Sequence, residues 1–271
     1  MKNLVVRTFS GIVFVLLLLG SLLLGKYTFA VVFLFIAVGS LREFYNLLKE
    51  SAITPLRIVG YTAGILFFLI SFFIRSGLLP GQFYFLLFPV LLLFPISELY
   101  KKSGKALENT AVGLWGFLYT AVPFGLSSFL VFDQYGNYSP WLLIALLILI
   151  WAYDSGAYLF GISFGKHRLF ERISPKKSWE GALGGTAVSV AASFVLQGFV
   201  TEIGFVHWII ITLLTVIIST FGDLSESMFK RQFGLKDSGG IIPGHGGLLD
   251  RFDSLLFAIP VFVCYIEIFI R

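Results

Sequence analysis

Long apolar runs separated by short polar segments form the dominant pattern along this chain. Nine runs approach the length of about 20 residues that an α-helix needs to cross the hydrocarbon core of a membrane. They lie near residues 8–25, 27–48, 57–75, 82–98, 111–132, 141–162, 181–200, 205–223 and 248–270. Turn-forming residues such as Leu79-Pro80-Gly81 separate neighbouring runs. The pattern predicts an all-α polytopic membrane protein with about nine transmembrane helices.

The composition agrees with a membrane protein. Hydrophobic residues make up 57% of the chain and charged residues only 13%, whereas soluble domains carry about 25% charged residues. The basic N-terminus before an apolar run could be a signal peptide, but no clear small-residue cleavage site follows. We interpret this run as the first membrane helix. The single cysteine, Cys264, lies in an apolar run, cannot form an internal disulfide and is predicted to be a packing residue.

Basic residues are distributed unevenly between the two sides of the predicted helices. The N-terminus and every second loop together hold 17 of the 20 lysines and arginines. By the positive-inside rule, the N-terminus and both long polar loops are predicted to be cytoplasmic, in a cell inner membrane or plasma membrane. A net charge of +5 would suggest nucleic acid as the partner of a soluble protein. Here the basic residues are concentrated on one side of the predicted membrane helices, so we predict no nucleic-acid partner.

Polar residues are concentrated in the second half of the chain. Residues 1–135 are predicted to be N-terminal transmembrane helices that act as a scaffold, with homodimer contacts or a route for lipid access as open roles. Residues 136–271 are predicted to be the catalytic transmembrane domain with cytoplasmic polar loops. Charged side chains beside a bilayer are costly, which makes such a cluster a candidate functional site.

The end of the eighth run carries a polar stripe. Asp223, Glu226, Ser227 and Lys230 are spaced three or four residues apart, so they share one face of a helix, with Arg231 at its edge. One interpretation is a solvated helix end with salt bridges between successive turns. Asp223 favours a functional site instead, because apolar residues precede it directly and place it at membrane depth.

A glycine-rich segment follows the polar stripe. Residues 238–247 contain five glycines, and a helix is predicted to start directly after them. A glycine-rich loop that leads into a helix N-terminus can bind an anion through free N–H groups. A flexible hinge is an equally good interpretation of the glycines alone. His245 could contact a phosphate, orient a carboxylate or cap the loop.

Two carboxylates lie three residues apart at the start of the last run. Asp250 and Asp253 share one helix face, and Asp223 is available from the preceding span. Mg²⁺ usually binds through one or two carboxylates together with substrate phosphates. The spacing therefore favours a metal site. The alternative is that Asp250 only interacts favourably with the dipole of its helix.

A second polar constellation lies between the sixth and seventh runs. Asp154 lies deep in an apolar helix. Its carboxylate could accept hydrogen bonds from neighbouring hydroxyl groups, or it could be part of a functional site. Ser174-Pro175 is typical of a helix N-cap followed by proline at the first helical position. Lys176 and Lys177 would then lie in the first turn, which favours anion binding, although a basic loop on anionic lipid headgroups is an alternative. Gly181 and Gly185 are predicted to pack helices together.

A polyanionic substrate, a divalent metal and a membrane location together indicate phosphoryl or nucleotidyl transfer to a lipid. Positioning and charge neutralisation supply most of the catalysis in such reactions. A transporter or channel is one alternative. A CDP-alcohol phosphotransferase is another, but its D-G-x2-A-R motif is absent. The nearest competitor is a CTP-dependent dolichol or phytol kinase.

The segment from Ser227 to Asp253 resembles the signature of phosphatidate cytidylyltransferases (CDP-diacylglycerol synthases). The matching elements are Ser227-x-Phe229-Lys230-Arg231, Lys236-Asp237, Pro243-Gly244-His245-Gly246-Gly247 and Asp250-Arg251-Phe252-Asp253. The stretch from Asp154 to Gly181 is similar to a second motif of the same family. The resemblance covers the second half of the chain, while residues 1–135 resemble the family only in spanning the membrane several times.

The resemblance implies a reaction of CTP with phosphatidate in the lipid bilayer, giving CDP-diacylglycerol and pyrophosphate. It implies Mg²⁺ as the cofactor, with a second cation compatible with the number of acids. We expect the metal ligands to be Asp223, Asp250 and Asp253. The catalytic candidates are Lys230, Arg231, Lys236, Asp237 and His245, and the substrate-binding candidates are Lys166, Ser174, Lys176, Lys177, Gly246, Gly247 and Arg251. Asp154, Glu180 and Glu226 are further acids that could join the site.

Overall fold

The structure is a computed structural model that describes residues 2–49, 51–101, 104–241 and 246–271, with the backbone alone for residues 2–7. Helices dominate the described residues. The N-terminal helices are α1 (Lys2–Leu23), α2 (Lys26–Leu47), α3 (Arg57–Arg75), a 3₁₀ turn (Gly81–Leu86) leading into α4 (Leu87–Leu99), α5 (Ala106–Gly116), a π-helical turn (Phe117–Ala121), α6 (Val122–Leu126) and α7 (Ser128–Val131). The remaining elements are α8 (Trp141–Phe164), β1 (Arg168–Phe170), β2 (Ser174–Ser178), α9 (Trp179–Gln197), α10 (Phe205–Gln232) and α11 (Leu249–Phe269).

These helices confirm the prediction of an all-α polytopic membrane protein. Eight helical segments within the described residues are long and apolar enough to cross a membrane, and Thr8–Leu23 is a shorter apolar helix. Large apolar side chains such as Leu16, Phe35 and Phe88 are exposed on the outside of the helices. Such surfaces suit contact with lipid chains rather than with water. The side of the membrane on which the N-terminus lies remains a prediction.

The first of two compact units comprises Met1–Pro140 together with Phe233–Phe252. Its core is aromatic: Phe29 of α2 contacts Phe33 and Phe68, and Phe33 contacts Phe124. Phe252, at the start of α11, packs against Phe124 with ring centroids 5.4 Å apart. The glycine-rich segment thus belongs to this unit. The division predicted from the sequence placed it in the C-terminal part, residues 136–271. The roles assigned to that division remain predictions.

The second unit comprises Trp141–Gln232 and Asp253–Arg271. Helices α8 and α9 approach closely because glycines line their contact, as predicted for Gly181 and Gly185. A Cβ atom on Gly185 would lie 2.6 Å from the carbonyl oxygen of Tyr153, and one on Gly181 would lie 2.7 Å from that of Ala157. Small residues allow helix backbones to approach in this way in membranes.

The prediction that a helix begins at Ser174-Pro175 is wrong. Residues 174–178 form strand β2, which pairs antiparallel with β1 in a two-stranded sheet. Pro175 is tolerated because an edge strand does not need its N–H group. Helix α9 begins at Trp179, and its N-cap is Ser178, whose Oγ accepts a hydrogen bond from the Gly181 N–H at 3.1 Å. Lys176 and Lys177 are therefore strand residues.

Candidate active site

Three helices of the second unit each supply one carboxylate to the same neighbourhood. Asp154 comes from the middle of α8, Asp223 from the C-terminal half of α10, and Asp253 from the first turns of α11. Asp253 is within electrostatic range of both other acids and of Lys177. Carboxylates that converge in this way need a cation or a proton to offset their repulsion.

A cavity of about 360 Å³ opens beside these acids. Its lining includes Asp154, Asp223 and four residues of strand β2, namely Ser174, Lys176, Lys177 and Ser178. Asp154 is exposed to this space rather than enclosed by protein, so its membrane-helix carboxylate faces an opening. The cavity thus brings together acids, lysines and a hydroxyl group, which is a suitable set for binding a metal-complexed phosphate.

Lys177 is the cation closest to the acids among the described contacts. Its Nζ atom lies 2.6 Å from Oδ2 of Asp223, and both side chains keep about 30% of their surface accessible. An ion pair that is open to a cavity can exchange partners when a charged ligand enters. Lys177 is therefore placed to pair with either Asp223 or a bound phosphate.

Close approach of α10 and α11 places Asp223 beside Asp253. A Cβ atom on Gly222 would lie only 2.6 Å from the carbonyl oxygen of Asp253. Position 222, next to Asp223 in α10, must therefore lack a side chain. The Asp253 carboxylate accepts a hydrogen bond from the Ser254 N–H at 2.6 Å. Gly222 is thus a residue that sets the geometry of the acid cluster.

The loop that joins α8 to strand β1 is held in place by the start of α9. Glu180 accepts hydrogen bonds from the backbone N–H groups of Lys166 and His167 at 3.0 and 3.2 Å, and it lies 2.6 Å from Nδ1 of His167. These contacts tie the loop after α8 to the first turn of α9. The Lys166 side chain is exposed and does not line the cavity in the described structure.

The polar stripe of α10 is more enclosed than a solvated helix end. Glu226 is fully buried, and its Oε2 lies 2.5 Å from Nζ of Lys230, which is also buried. Ser227 Oγ donates to Asp223 Oδ1 at 3.3 Å, while Arg231 is exposed. The structure thus pairs Lys230 with a carboxylate of its own helix, and the catalytic roles of Lys230 and Arg231 remain predictions.

In the first unit, Asp250 closes the glycine-rich segment. Its carboxylate accepts hydrogen bonds from the N–H groups of Ser238 and Gly247, at 3.0 and 2.8 Å. Gly246 has φ of +86°, which a residue with a side chain would rarely adopt. Helix α11 starts directly after this segment, as predicted.

Three other candidates of the glycine-rich region lie at the surface. Lys236, Asp237 and Arg251 are exposed. His245 lies outside the described residues. The structure therefore leaves the roles of these residues as predictions, along with the assignment of Asp250 as a metal ligand.

The arrangement fits a metal ion whose ligand shell is completed by a substrate. Within the described parts of the chain, no group of three or more His, Cys, Asp or Glu side chains is arranged to hold a metal ion alone. Mg²⁺ typically binds through one or two carboxylates and takes its remaining ligands from substrate phosphates and water. Asp223 and Asp253 provide such a pair of carboxylates.

Sequence reasoning assigned no role to a buried acid of α2. Glu43 on α2 is only 3% exposed and contacts the glycine-rich segment. The available signal was an acidic residue inside a predicted span, which is costly unless it has partners. Its partners lie 195 and 206 residues away in sequence, so the pattern alone could not identify them.

Comparison with known proteins gives concordant results. The Cytidylyltransferase family matches residues 5–269. A phosphatidate cytidylyltransferase of Bacillus subtilis is 32% identical over 97% of both chains, and one of Staphylococcus epidermidis is 33% identical over 94% of this chain and 96% of that protein. A phosphatidate cytidylyltransferase of Haemophilus influenzae is 42% identical over 60% of each chain.

Proposed function

We propose that this chain, which belongs to the cytidylyltransferase family, transfers a cytidylyl group from CTP to phosphatidate and releases pyrophosphate. The observation that carries the proposal is the meeting of Asp154, Asp223 and Asp253 with Lys177 beside a cavity in a multi-pass membrane protein. Both substrates are polyanions, and one of them is a lipid. A charged cavity among membrane helices suits this combination.

In the proposed reaction, a phosphate oxygen of phosphatidate attacks the α-phosphorus of CTP. A new phosphorus–oxygen bond forms, and the bond from the α-phosphorus to the oxygen bridging to the β-phosphate breaks. The bonding electron pair leaves with pyrophosphate. Because the phosphatidate oxygen is already ionised, the protein does not need a strong general base.

The residues around the cavity would act by positioning and by charge neutralisation. Lys177 would exchange its contact with Asp223 for a phosphate oxygen, and Lys176 would add a second positive charge at the same strand. The Ser174 hydroxyl group would donate a hydrogen bond to a phosphate. These contacts would hold the two anions near each other despite their repulsion.

Asp223 and Asp253 would hold a Mg²⁺ ion, for which Asp154 and Asp250 are further candidate ligands. When bound, this ion supplies neutralisation of the phosphate charge at the reacting centre. Lys177 offsets the charge of Asp223, but once it turns to a phosphate, the acid pair without a metal cation would oppose the binding of two anionic substrates.

The membrane location of the reaction follows the charge pattern of the chain. We propose that the cavity opens toward the cytoplasmic side of a cell inner membrane or plasma membrane, where CTP is available. The basic residues of the long loops would then lie beside the anionic lipid surface.

The direct test is a reaction of purified protein in detergent micelles with labelled CTP, phosphatidate and Mg²⁺. We expect labelled CDP-diacylglycerol and an equal amount of pyrophosphate only when all three are present. Omission of each component in turn is the control. CTP hydrolysis without a lipid product, or transfer to a lipid alcohol in place of phosphatidate, would reject the proposal.

A further inference from the structure

Glu43 is a buried acid in a part of the chain to which no chemistry has been assigned. It lies in α2 between Arg42 and Phe44 and is only 3% exposed. Its Oε1 atom is buried without a hydrogen-bond partner among the described residues. A buried carboxylate with incomplete hydrogen bonding is a poor stabiliser of a fold. Its presence therefore points to a positional role.

The second carboxylate oxygen of Glu43 contacts the first residue of the glycine-rich segment and the first residue of α11. Oε2 accepts a hydrogen bond from Ser238 Oγ at 3.1 Å and another from the Leu249 N–H at 2.8 Å. Leu249 is the first residue of α11, so a negative charge at this position also interacts favourably with the helix dipole. One oxygen atom thus contacts the chain both where the segment begins and where α11 begins.

Two glycines of this segment are explained by the same side chain. A Cβ atom on Gly239 would collide with Glu43 Oε1, and one on Gly247 would collide with Glu43 Oε2. Neither glycine has a positive φ. Both positions therefore need glycine because of the space that Glu43 and, at Gly247, also Ser238 Oγ occupy, not because of their backbone conformation.

We propose that Glu43 is a positioning residue that sets the glycine-rich segment and the start of α11 for the transfer reaction. Asp250 is held by the same segment, through the N–H groups of Ser238 and Gly247. Glu43 therefore fixes the frame in which the Asp250 carboxylate is oriented. This inference rests on the proposed function and gives a helix of the N-terminal region a part in the reaction.

The first experiment compares Glu43→Gln and Glu43→Ala with the matched control Glu98→Gln. Glu98 is also a buried glutamate of the first unit, but it binds Asn109 and Lys101 rather than the glycine-rich segment. We expect kcat to fall about tenfold in Glu43→Gln, because a neutral amide oxygen is a weaker acceptor than a carboxylate. The fall should be larger in Glu43→Ala, because the buried donors then lose their acceptor. The Mg²⁺ concentration for half-maximal activity should rise in both, and Glu98→Gln should leave it unchanged.

Hydrogen exchange in the segment provides a readout that does not depend on activity. We expect the Leu249 amide to exchange faster in Glu43→Gln and at an unchanged rate in Glu98→Gln. Each variant is measured at the same interval below its own melting temperature. Unchanged exchange at Leu249 together with an unchanged Mg²⁺ requirement would overturn the inference. If the wild-type protein made no CDP-diacylglycerol, the proposed function would fail, whereas the exchange result would still decide whether Glu43 holds the segment.

A double-mutant cycle tests the contact itself. Gly239→Ala introduces a Cβ atom whose close neighbours all belong to Glu43, so it should speed Leu249 exchange about tenfold by displacing that side chain. In the Glu43→Ala background the same substitution should have little further effect. Additive effects of the two substitutions would contradict the proposed role.

Discussion

The two compact units use their acidic side chains in different ways. In the first unit, Glu43 and Asp250 accept hydrogen bonds from the backbone and side chains of one loop, and they hold that loop in shape. In the second unit, Asp154, Asp223 and Asp253 converge on one another and on Lys177 beside a cavity. The comparison teaches that the two groups of acids differ in their partners. Those of the first unit bind N–H and O–H groups that shape one loop, while those of the second unit also face one another and a cavity.

The largest expected effect comes from removing a carboxylate of the second unit. Asp223→Asn and Asp253→Asn each retain the side-chain size but lose the charge that would hold a cation. We expect kcat for CDP-diacylglycerol formation to fall by about 100- to 1000-fold, as for the loss of one group that stabilises a transition state.

The matched control for this prediction is Asp133→Asn in the first unit. Asp133 accepts hydrogen bonds from the N–H groups of Tyr135 and Asn137 and so shapes a turn. We expect its replacement to alter stability only. Equal activity losses in Asp133→Asn and Asp253→Asn would remove the distinction between the units.

The next largest effect is expected at Lys177, the lysine that contacts Asp223. Lys177→Ala should raise KM for CTP and lower kcat/KM by about 100-fold, because it removes a cation near the phosphates and leaves Asp223 without that partner. Steady-state kinetics at varied CTP would measure this change. Lys49→Ala, at an exposed lysine of the first unit, should have little effect, and a similar loss there would indicate a general effect of surface charge.

A smaller effect is expected from the spacing of α10 and α11. Gly222→Ala places a Cβ atom against the Asp253 carbonyl group and should destabilise the protein by about 1–3 kcal/mol through overpacking. Activity should fall more than the folded fraction does, since Asp223 and Asp253 move apart. Gly20→Ala, where a Cβ atom would meet no neighbour within 4 Å, is the control. Thermal melting and kcat measured on the same samples would show whether spacing matters.

The smallest effect concerns the cap that joins strand β2 to α9. Ser178→Ala removes the acceptor for the Gly181 N–H group and should destabilise the protein by about 1 kcal/mol. Ser178→Gly should cost only a few tenths of a kcal/mol, since glycine is tolerated at N-caps. Melting curves of both variants would test this order, and a larger loss for glycine would mean that side-chain packing outweighs the cap.

Much of the fold could be predicted from the sequence because membrane spans have a strong apolar signal. The predicted span 57–75 coincides with α3, and α11 starts one residue from its predicted position. The hairpin was missed because Ser174-Pro175 suits both a helix start and an edge strand. Strand pairing between Arg168 and Ser178 decided between them, and local sequence carries no information about that pairing.

The candidate site was predicted in part. Asp223 and Asp253 were selected from their spacing, and the structure brings them together in the second unit. Asp154 was left undecided because a lone acid in a helix does not reveal what it faces, and the structure places it at the cavity. Glu43 and the ion pair of Lys177 depend on contacts between distant parts of the chain. Such contacts become visible only once the helices are packed.

The most direct test of the central claim is a Mn²⁺ titration of purified protein in the presence of CTP, followed by electron paramagnetic resonance. Mn²⁺ accepts the same oxygen ligands as Mg²⁺ and gives a signal that changes when it binds. The account predicts saturable binding to the wild-type protein and to Asp133→Asn, and weaker binding by at least about tenfold in Asp223→Asn and Asp253→Asn. Equal affinity in all four proteins would contradict the claim that the acids of the second unit hold the cation.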